Sequence, residues 1–361
     1  MLWIFIIPVL FYFFLLLFIC RNLILLSPYR QGGIPHQKLS VVVACMNEEK
    51  NLPSLLSDLS SQDYPPELFE VIVVDDGSAD NTFEIASEYK QIKDLKVVMN
   101  NGKGKKSAIR TGVKKAFNEL IITTDADCSM GSGWIRTIAG FYEAGRPDMI
   151  IGPVMMKDTP GFFNRFQELE FLSLQGITAG TATLGNPVMC NGANLSFTKK
   201  AYLEHSQNLH DDIASGDDVF FLHSLKKKRE AKIKWLSAPE SIVTTMPASS
   251  PESYFMQRAR WISKGKAYND RYTILLAVVT FVTSFVMVFL LITGIFRPAF
   301  LTVFAATFFV KSIPDLLILT VTLRRYNKTA LLKWFIPSQI IYPFYVTVAA
   351  FLGITGKGKW R

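Results

Sequence analysis

The chain has 361 residues, which is enough for one large domain or two ordinary ones. Its formal net charge of +9 would suit a nucleic-acid partner. However, the basic residues lie beside apolar segments and in one glycine-rich loop, and they form no contiguous basic patch. We therefore expect no nucleic-acid partner, and we attribute the charge to contact with anionic lipid head groups and a phosphate-bearing substrate.

The N-terminal segment is apolar: residues 2–20 carry no charge and could cross a bilayer as a helix. The segment lacks a basic start and a small-residue cleavage site, so we expect a retained anchor over residues 1–27. Basic residues follow the segment (Arg21, Arg30, Lys38) and none precedes it. The positive-inside rule then predicts that the central domain is cytoplasmic. Together with the apolar stretches described next, this predicts a multi-pass protein of the cell membrane. The four cysteines form no CxxC pair, which favours a reducing compartment without a zinc site or disulfide framework.

Three more apolar stretches follow, at residues 274–296, about 298–320 and about 334–353, and predict a transmembrane bundle over 272–355. Three spans would leave the tail, residues 356–361, outside, whereas its basic side chains favour the inside. A re-entrant segment would resolve this conflict, and residues 336–343 are the candidate.

Charged and amphipathic features accompany the apolar stretches. Lys311 and Asp315 share a helix face, where we expect a structural ion pair, with an acceptor or lipid-access role as the alternative. Residues 161–175 could form an amphipathic helix on the membrane surface.

The central region, residues 38–250, alternates short apolar strands with helices. The predicted strands are residues 38–45, 69–74, 95–99 and 120–124. This alternation predicts an α/β, Rossmann-like domain with a mainly parallel sheet. In such sheets ligands bind beyond the carboxyl ends of the strands. Polar clusters follow the first, second and fourth strands, so we expect the binding site there.

Two pairs of acids follow strands. Asp125 and Asp127 offer hard oxygen ligands that suit Mg²⁺ or Mn²⁺ bridging a diphosphate. Asp75 and Asp76 could accept hydrogen bonds from a nucleoside. A strand-end turn is the alternative for both pairs, because aspartate favours turns.

Two other segments could touch the same ligand. Asn47 and Glu48 follow the first strand, where they could contact a nucleotide or begin a helix. The loop at residues 102–107 is rich in glycine and lysine, and Lys105 could approach an anion at the helix start. It lacks the Walker spacing, and a solvated basic loop is the alternative.

Two motifs follow later in the chain. Asp217 and Asp218, close after Asp211 and Asp212, could supply the general base for an acceptor hydroxyl or complement a helix dipole. A Q-x-x-R-W motif lies on a predicted interfacial helix over 251–270. Its members Gln257, Arg260 and Trp261 could grip a diphosphate and stack on a sugar, or form an interfacial belt.

Taken together, these motifs resemble the family 2 glycosyltransferases with a GT-A fold. The matching segments, in the family's order, are residues 41–48, 71–78, 104–112, 125–127, 216–218 and 257–261. The Q-x-x-R-W motif is similar to that of the membrane-associated branch, which includes cellulose and hyaluronan synthases and ceramide glucosyltransferases.

The resemblance implies a role for each motif. Asp76, assisted by Asp75, would contact the uridine of a UDP-sugar, and Asp127 with Asp125 would hold the metal and diphosphate. Asp218 would be the catalytic base, although the Gly-Asp-Asp sequence leaves Asp217 open. The Q-x-x-R-W residues would line the donor diphosphate and the acceptor site.

The function predicted is inverting transfer of one sugar to a lipid or lipid-linked acceptor. Three short C-terminal segments give little material for a glycan channel, so polysaccharide synthesis is the second interpretation. An inactive sugar-binding membrane subunit is the third.

Overall fold

The computed structural model describes residues 2–210, Ile213 and 216–355. Its contacts divide the chain into two compact units. The sheet unit comprises Ser27–Lys157 and Met189–Met246. The helical unit comprises the described residues within Met1–Leu26, Asp158–Val188 and Pro247–Arg361. The basic tail that favours a cytoplasmic C-terminus, residues 356–361, lies outside the described residues.

The sheet unit contains two sheets built from ten strands. In chain order these are β1 Leu39–Cys45, β2 Phe69–Asp75, β3 Leu95–Met99, β4 Leu120–Asp125, β5 Ser129–Met130, β6 Met149–Ile151, β7 Val154–Met156, β8 Leu195–Thr198, β9 Ile233–Trp235 and β10 Val243–Thr245. The larger sheet has the order β3-β2-β1-β4-β8-β6-β9, and the smaller has the order β5-β10-β7. Strands β1 to β4 are mutually parallel and β8 is antiparallel to both neighbours, so the larger sheet is mixed but mainly parallel.

The register of the parallel strands fixes where the polar clusters meet. Cys45 at the end of β1 pairs with Asp75 on β2, and Ala44 pairs with Asp125 on β4. The strand interiors are apolar on both faces, as expected for a parallel sheet covered by helices. The carboxyl ends of β2, β1 and β4 therefore lie side by side.

Within the part of the sheet unit that the structure describes there are six helices. They are α2 Leu52–Ser60, α3 Thr82–Glu88, α4 Lys105–Lys115, α5 Trp134–Gly145, α7 Lys199–His205 and α8 Asp217–Lys226. Helix α4 packs closely on the sheet at Gly112, where an added Cβ would lie 2.4 Å from Val42 Cγ1 and 3.1 Å from Val74 Cγ2. This close approach fixes the position of the helix whose first residue is Lys105.

Six further helices form the helical unit. They are α1 Ile6–Leu25, α6 Phe162–Thr183, α9 Pro251–Ser263, α10 Arg271–Phe296, α11 Ala299–Arg325 and α12 Phe335–Ile354. Four helical segments among the described residues are long and apolar enough to cross a membrane: Trp3–Leu25, Arg271–Phe296, Ala299–Arg325 and Thr329–Ile354. Helix α12 continues through Pro343, so the re-entrant segment expected at residues 336–343 is not seen.

Helix α6 contains the segment expected to form an amphipathic helix on the membrane surface, and that location stays a prediction. It runs beyond residue 175 to Thr183 and packs against α1 and α11. At Gly176 an added Cβ would lie 2.3 Å from Thr322 Oγ1, and at Gly180 it would lie 2.7 Å from the Ile19 carbonyl oxygen. Small residues at these two positions let the helices approach closely, which an isolated surface helix would not require.

Gly112→Ala tests the packing of α4 on the sheet. The added methyl group would overlap Val42, so the free energy of unfolding should fall by about 1–3 kcal/mol. Thermal unfolding of the solubilised protein measures this change. Gly131→Ala is the matched control, because no atom lies within 4 Å of its added Cβ. Equal losses in the two variants would contradict the close packing at Gly112.

Candidate active site

The acids after β4 form an ion pair with the first residue of α4. Lys105 Nζ contacts Asp125 Oδ1 directly. Burial lowers the pKa of Lys105, but the negative charges of Asp125 and Asp217 outweigh it and the net shift is upward. Lys105 is therefore the positive centre of a group of carboxylates.

The Gly-Asp-Asp motif joins the same cluster. Asp218 accepts hydrogen bonds from the backbone N–H groups of Gly192 at 3.0 Å and Val219 at 2.8 Å. An added Cβ on Gly192 would lie 3.9 Å from Asp218 Oδ2 and 3.9 Å from Lys105 Nζ. Each carboxylate oxygen of Asp218 keeps a further lone pair, so the group is held in place and can still accept a proton.

The segment before this motif is described only in part. Asp211 and Asp212, which make the acid run unusual, lie outside the described residues. Lys106 is buried, and its Nζ donates to the Leu209 carbonyl at 2.6 Å and to the His210 carbonyl at 2.8 Å. Leu209 and His210 directly precede the residues that are not described. This lysine holds the chain that leads towards the Gly-Asp-Asp motif.

Asp127 and Glu48 add further carboxylates, and Lys105 only partly offsets the charge acting on Asp127. Burial raises the pKa of Asp127, and the charge of Asp125 raises it further. Burial also raises the pKa of Glu48, with smaller contributions from Asp127 and Asp125, against the lowering effect of its hydrogen bond from Asn51. These shared effects bring the predicted residues after β1 and β4 into one electrostatic group.

Asp76 holds the glycine-lysine loop in place. Its carboxylate accepts hydrogen bonds from the Gly104 N–H at 2.8 and 3.0 Å and from Asn100 Nδ2 at 2.6 Å. Gly104 has φ +85°, which favours glycine, and Lys105 follows it. Asp76 therefore sets the position of Lys105, and its contact with uridine stays a prediction.

Asp75 and Asn47 shape the turns beside Asp76. Asp75 is 1% exposed and accepts hydrogen bonds from the backbone N–H groups of Gly77 and Ser78. Asn47 accepts a hydrogen bond from the Ala79 N–H at 2.8 Å. Asp75 adopts the turn-forming alternative considered from the sequence. Asn47 holds the turn after β2, and the contact of both side chains with a nucleotide stays a prediction.

The donor set suits a hard divalent cation that also binds a ligand. Carboxylate oxygens of Asp125 and Asp127 are of the type that Mg²⁺ and Mn²⁺ prefer. Like charge and burial disfavour ionisation of Asp127, and a bound cation would relieve that cost. No group of three or more His, Cys, Asp or Glu side chains among the described residues could hold a metal. The two carboxylates thus fit a cation whose remaining ligands come from a diphosphate and water.

The Q-x-x-R-W residues lie on α9 in the helical unit, where Arg258 contacts two of them. Arg258 is 2% exposed and pairs with Glu170 of α6. It donates a hydrogen bond to Gln257 Oε1 at 2.8 Å, and its guanidinium carbon lies 4.1 Å from the centre of the Trp261 ring. Arg258 therefore orients two of the three predicted residues, and the contact of Gln257, Arg260 and Trp261 with substrate stays a prediction.

Comparison with known proteins identifies the family of the central region. Residues 40–206 match the family described as glycosyl transferase family 2. The chain contains a family 2 glycosyltransferase domain. The chain is 25% identical over 252 residues to a poly-beta-1,6-N-acetyl-D-glucosamine synthase of Staphylococcus epidermidis, covering 68% of this chain and 58% of the relative.

Two further proteins are similar to the chain. The poly(ribitol-phosphate) beta-N-acetylglucosaminyltransferase TarS of Staphylococcus aureus is 32% identical over 126 residues, which cover 34% of this chain and 22% of TarS. The chain thus spans less than two thirds of both curated relatives. The mannosyltransferase PcManGT from Pyrobaculum calidifontis, solved with GDP-Man and Mn²⁺, matches with a TM-score of 0.60 at 17% identity over 99% of this chain and 100% of that one. The predicted GT-A fold class is confirmed.

Three residues that contact predicted site residues, or pair with one that does, were missed in the sequence. Gly192 supplies a backbone donor to Asp218 from the segment before β8. The only signal was the polar run Asn-Gly-Ala-Asn at residues 191–194. Arg258 sits inside the recognised motif, and its partner Glu170 lies 88 residues earlier. A pair so distant in sequence leaves no local pattern.

Variants of the pair formed by Glu170 and Arg258 test its positioning role. Glu170→Gln leaves a buried guanidinium without its carboxylate and should cost about 3–5 kcal/mol of unfolding free energy. Glu170→Leu combined with Arg258→Met should recover most of that stability, because both buried charges are removed. Transfer by the double variant should nevertheless be at least about tenfold slower, since Gln257 and Trp261 lose their shared partner.

Thermal unfolding and the kcat of the double variant measure the two effects. Asp63→Asn is the stability control, because its pair with Arg136 is exposed and should contribute under about 1 kcal/mol. A stable double variant with a wild-type kcat would show that the pair only stabilises the fold.

Proposed function

We propose that the chain is a membrane-bound inverting glycosyltransferase that transfers a sugar from a UDP-sugar to a lipid or lipid-linked acceptor at the cytoplasmic face. One observation carries the proposal. The acids of two separate motifs, Asp125 and Asp218, meet around Lys105 within a family 2 glycosyltransferase domain. Such an arrangement can bind a diphosphate leaving group and deprotonate an acceptor in one place.

The donor side would use the residues after β2 and β4. Lys105 would attract the diphosphate, and Asp76 would keep Lys105 in place through Gly104. Asp125 and Asp127 would hold a divalent cation, which would neutralise negative charge on the leaving nucleotide diphosphate. The solved mannosyltransferase with GDP-Man and Mn²⁺ supports this use of metal.

Asp218 would be the catalytic base. Its carboxylate would take the proton of an acceptor hydroxyl, whose oxygen would form a bond to the anomeric carbon. The bond from that carbon to the diphosphate oxygen would break, and the nucleotide diphosphate would leave with the electron pair. Attack opposite the leaving group inverts the anomeric configuration. Two backbone donors hold the base for this step.

The membrane part supports a lipid acceptor. Four helical segments of the described chain could cross a bilayer, and a lipid-embedded acceptor would be held beside them. Basic residues after the first segment favour a cytoplasmic location for the domain. The division into an anchor, a GT-A domain, an interfacial helix and a C-terminal bundle is part of this proposal.

Polysaccharide synthesis is the second candidate, favoured by the similarity to the Staphylococcus epidermidis synthase. A polymer synthase needs a path for a growing glycan, and four membrane segments give little material for one. We therefore place single transfer first.

Product mass tests the proposal. Purified full-length protein is incubated with labelled UDP-glucose, UDP-N-acetylglucosamine or GDP-mannose and a lipid extract from the native membrane. The expected product is one lipid heavier by one sugar, formed from a UDP-sugar. A ladder of masses would favour the polymer synthase, and no product from any donor would contradict both.

Asp218→Asn tests the assigned base. Transfer should fall by at least about a hundredfold, because general-base catalysis contributes 10²–10⁴ in rate. UDP affinity measured by calorimetry should stay within about twofold, since the amide keeps the size of the side chain. Asp217→Asn is the companion variant. Normal turnover by Asp218→Asn with loss in Asp217→Asn would transfer the role to Asp217.

A further inference from the structure

The helical unit contains a cavity within its bundle whose lining is mainly apolar, with some polar groups. The cavity has a volume of about 40 Å³ and is lined by residues of α1, α6, α11 and α12. A buried water needs roughly 10–15 Å³ of such space, so the cavity has room for about three oxygen- or carbon-sized groups. A sugar ring is too large for it. A small head group, or the hydroxyl end of one, is of the right size.

The lining combines apolar and polar side chains. Leu16, Phe166 and Leu319 contribute apolar surface. Glu170 and Asp315 contribute carboxylates. A cavity with both kinds of surface inside a membrane bundle suits the polar end of an amphiphile.

The charged groups at the cavity are already paired. Lys311 is fully buried and donates to Asp315 at 2.5 Å and to Gln339 at 2.9 Å. Asp315 also accepts a hydrogen bond from Tyr12 at 2.6 Å, and Glu170 pairs with Arg258. The structural ion pair expected for Lys311 and Asp315 is therefore present. A phosphate entering the cavity would face two carboxylates and would need a buried ion pair to break, which is costly.

A buried serine hydroxyl in the lining lacks a partner among the described residues. Ser338 is 8% exposed and lines the cavity, and its hydroxyl makes no hydrogen bond with any residue that the structure describes. A buried hydroxyl without a partner is unfavourable, because the hydrogen bonds it made to water are not replaced. A ligand hydroxyl would remove this cost and could also donate to the neighbouring carboxylates.

We propose that this cavity binds the uncharged, hydroxyl-bearing head group of a membrane lipid. The cavity volume is too small for a sugar ring, and the paired charges disfavour a phosphate. A ligand hydroxyl would give the Ser338 hydroxyl the hydrogen-bond partner that it lacks among the described residues. Identification of this lipid as the sugar acceptor rests on the proposed function, whereas the binding site itself does not.

Lipid binding to the full-length protein tests the site without any nucleotide-sugar. The protein is placed in phosphatidylcholine nanodiscs with 1,2-dioleoylglycerol or, separately, dioleoyl phosphatidic acid, and retained lipid is counted by native mass spectrometry. Dioleoylglycerol should be retained and phosphatidic acid should not displace it. Ser338→Ala should weaken retention by about fivefold to tenfold, the usual effect of one hydrogen bond.

Ser284→Ala is the matched control. Ser284 is also a buried serine of the bundle whose hydroxyl lacks a partner among the described residues, and it does not line the cavity. Its variant should retain dioleoylglycerol like the wild type. The proposal is overturned if no dioleoylglycerol is retained, if phosphatidic acid replaces it, or if the two serine variants behave alike.

The two proposals can fail separately. Transfer to some other acceptor without retention of dioleoylglycerol would remove the cavity site and leave the proposed function. Retention that depends on Ser338, in a protein that transfers no sugar from any donor, would remove the proposed function and leave the site.

Discussion

Compensation of negative charge at the carboxyl edge of a parallel sheet is the constraint on which the candidate active site depends. Asp125, Asp127 and Asp218 come from different segments and would repel one another without a cation. Lys105 supplies positive charge among them, at the first residue of a helix packed tightly on the sheet. Asp76 fixes the loop that presents this lysine. The sheet register and the packing of α4 are therefore both needed for the site.

Charge is also compensated in the helical unit, but there by complete ion pairs between side chains. Arg258 pairs with Glu170, and Lys311 pairs with Asp315. Each of these charges is therefore neutralised by a neighbouring side chain. Buried pairs of this kind disfavour a further ion. The acid-rich edge in the sheet unit is therefore proposed to bind a cation and a diphosphate, whereas the bundle cavity is proposed to bind an uncharged group.

Much of the sheet unit was predictable because its determinants are local. Apolar runs ending in acids or turns gave β1 to β4 within one residue of their observed bounds, and parallel pairing then brought their carboxyl ends together. Other features were not predictable. Helix α6 groups with membrane helices through Gly176 and Gly180, and Gly192 reaches Asp218 from 26 residues away. Such contacts depend on tertiary packing, which leaves no periodic pattern in one sequence.

Binding of Mn²⁺ to the full-length protein, with and without UDP, tests most directly whether the acid cluster gathers a metal and a diphosphate. The signal of free Mn²⁺ in electron paramagnetic resonance reports the bound fraction. We expect tight binding only in the presence of UDP, because the described residues offer no group of three ligating side chains. We also expect that binding to be lost in Asp127→Asn. Equal binding without UDP, or binding unchanged in Asp127→Asn, would contradict it.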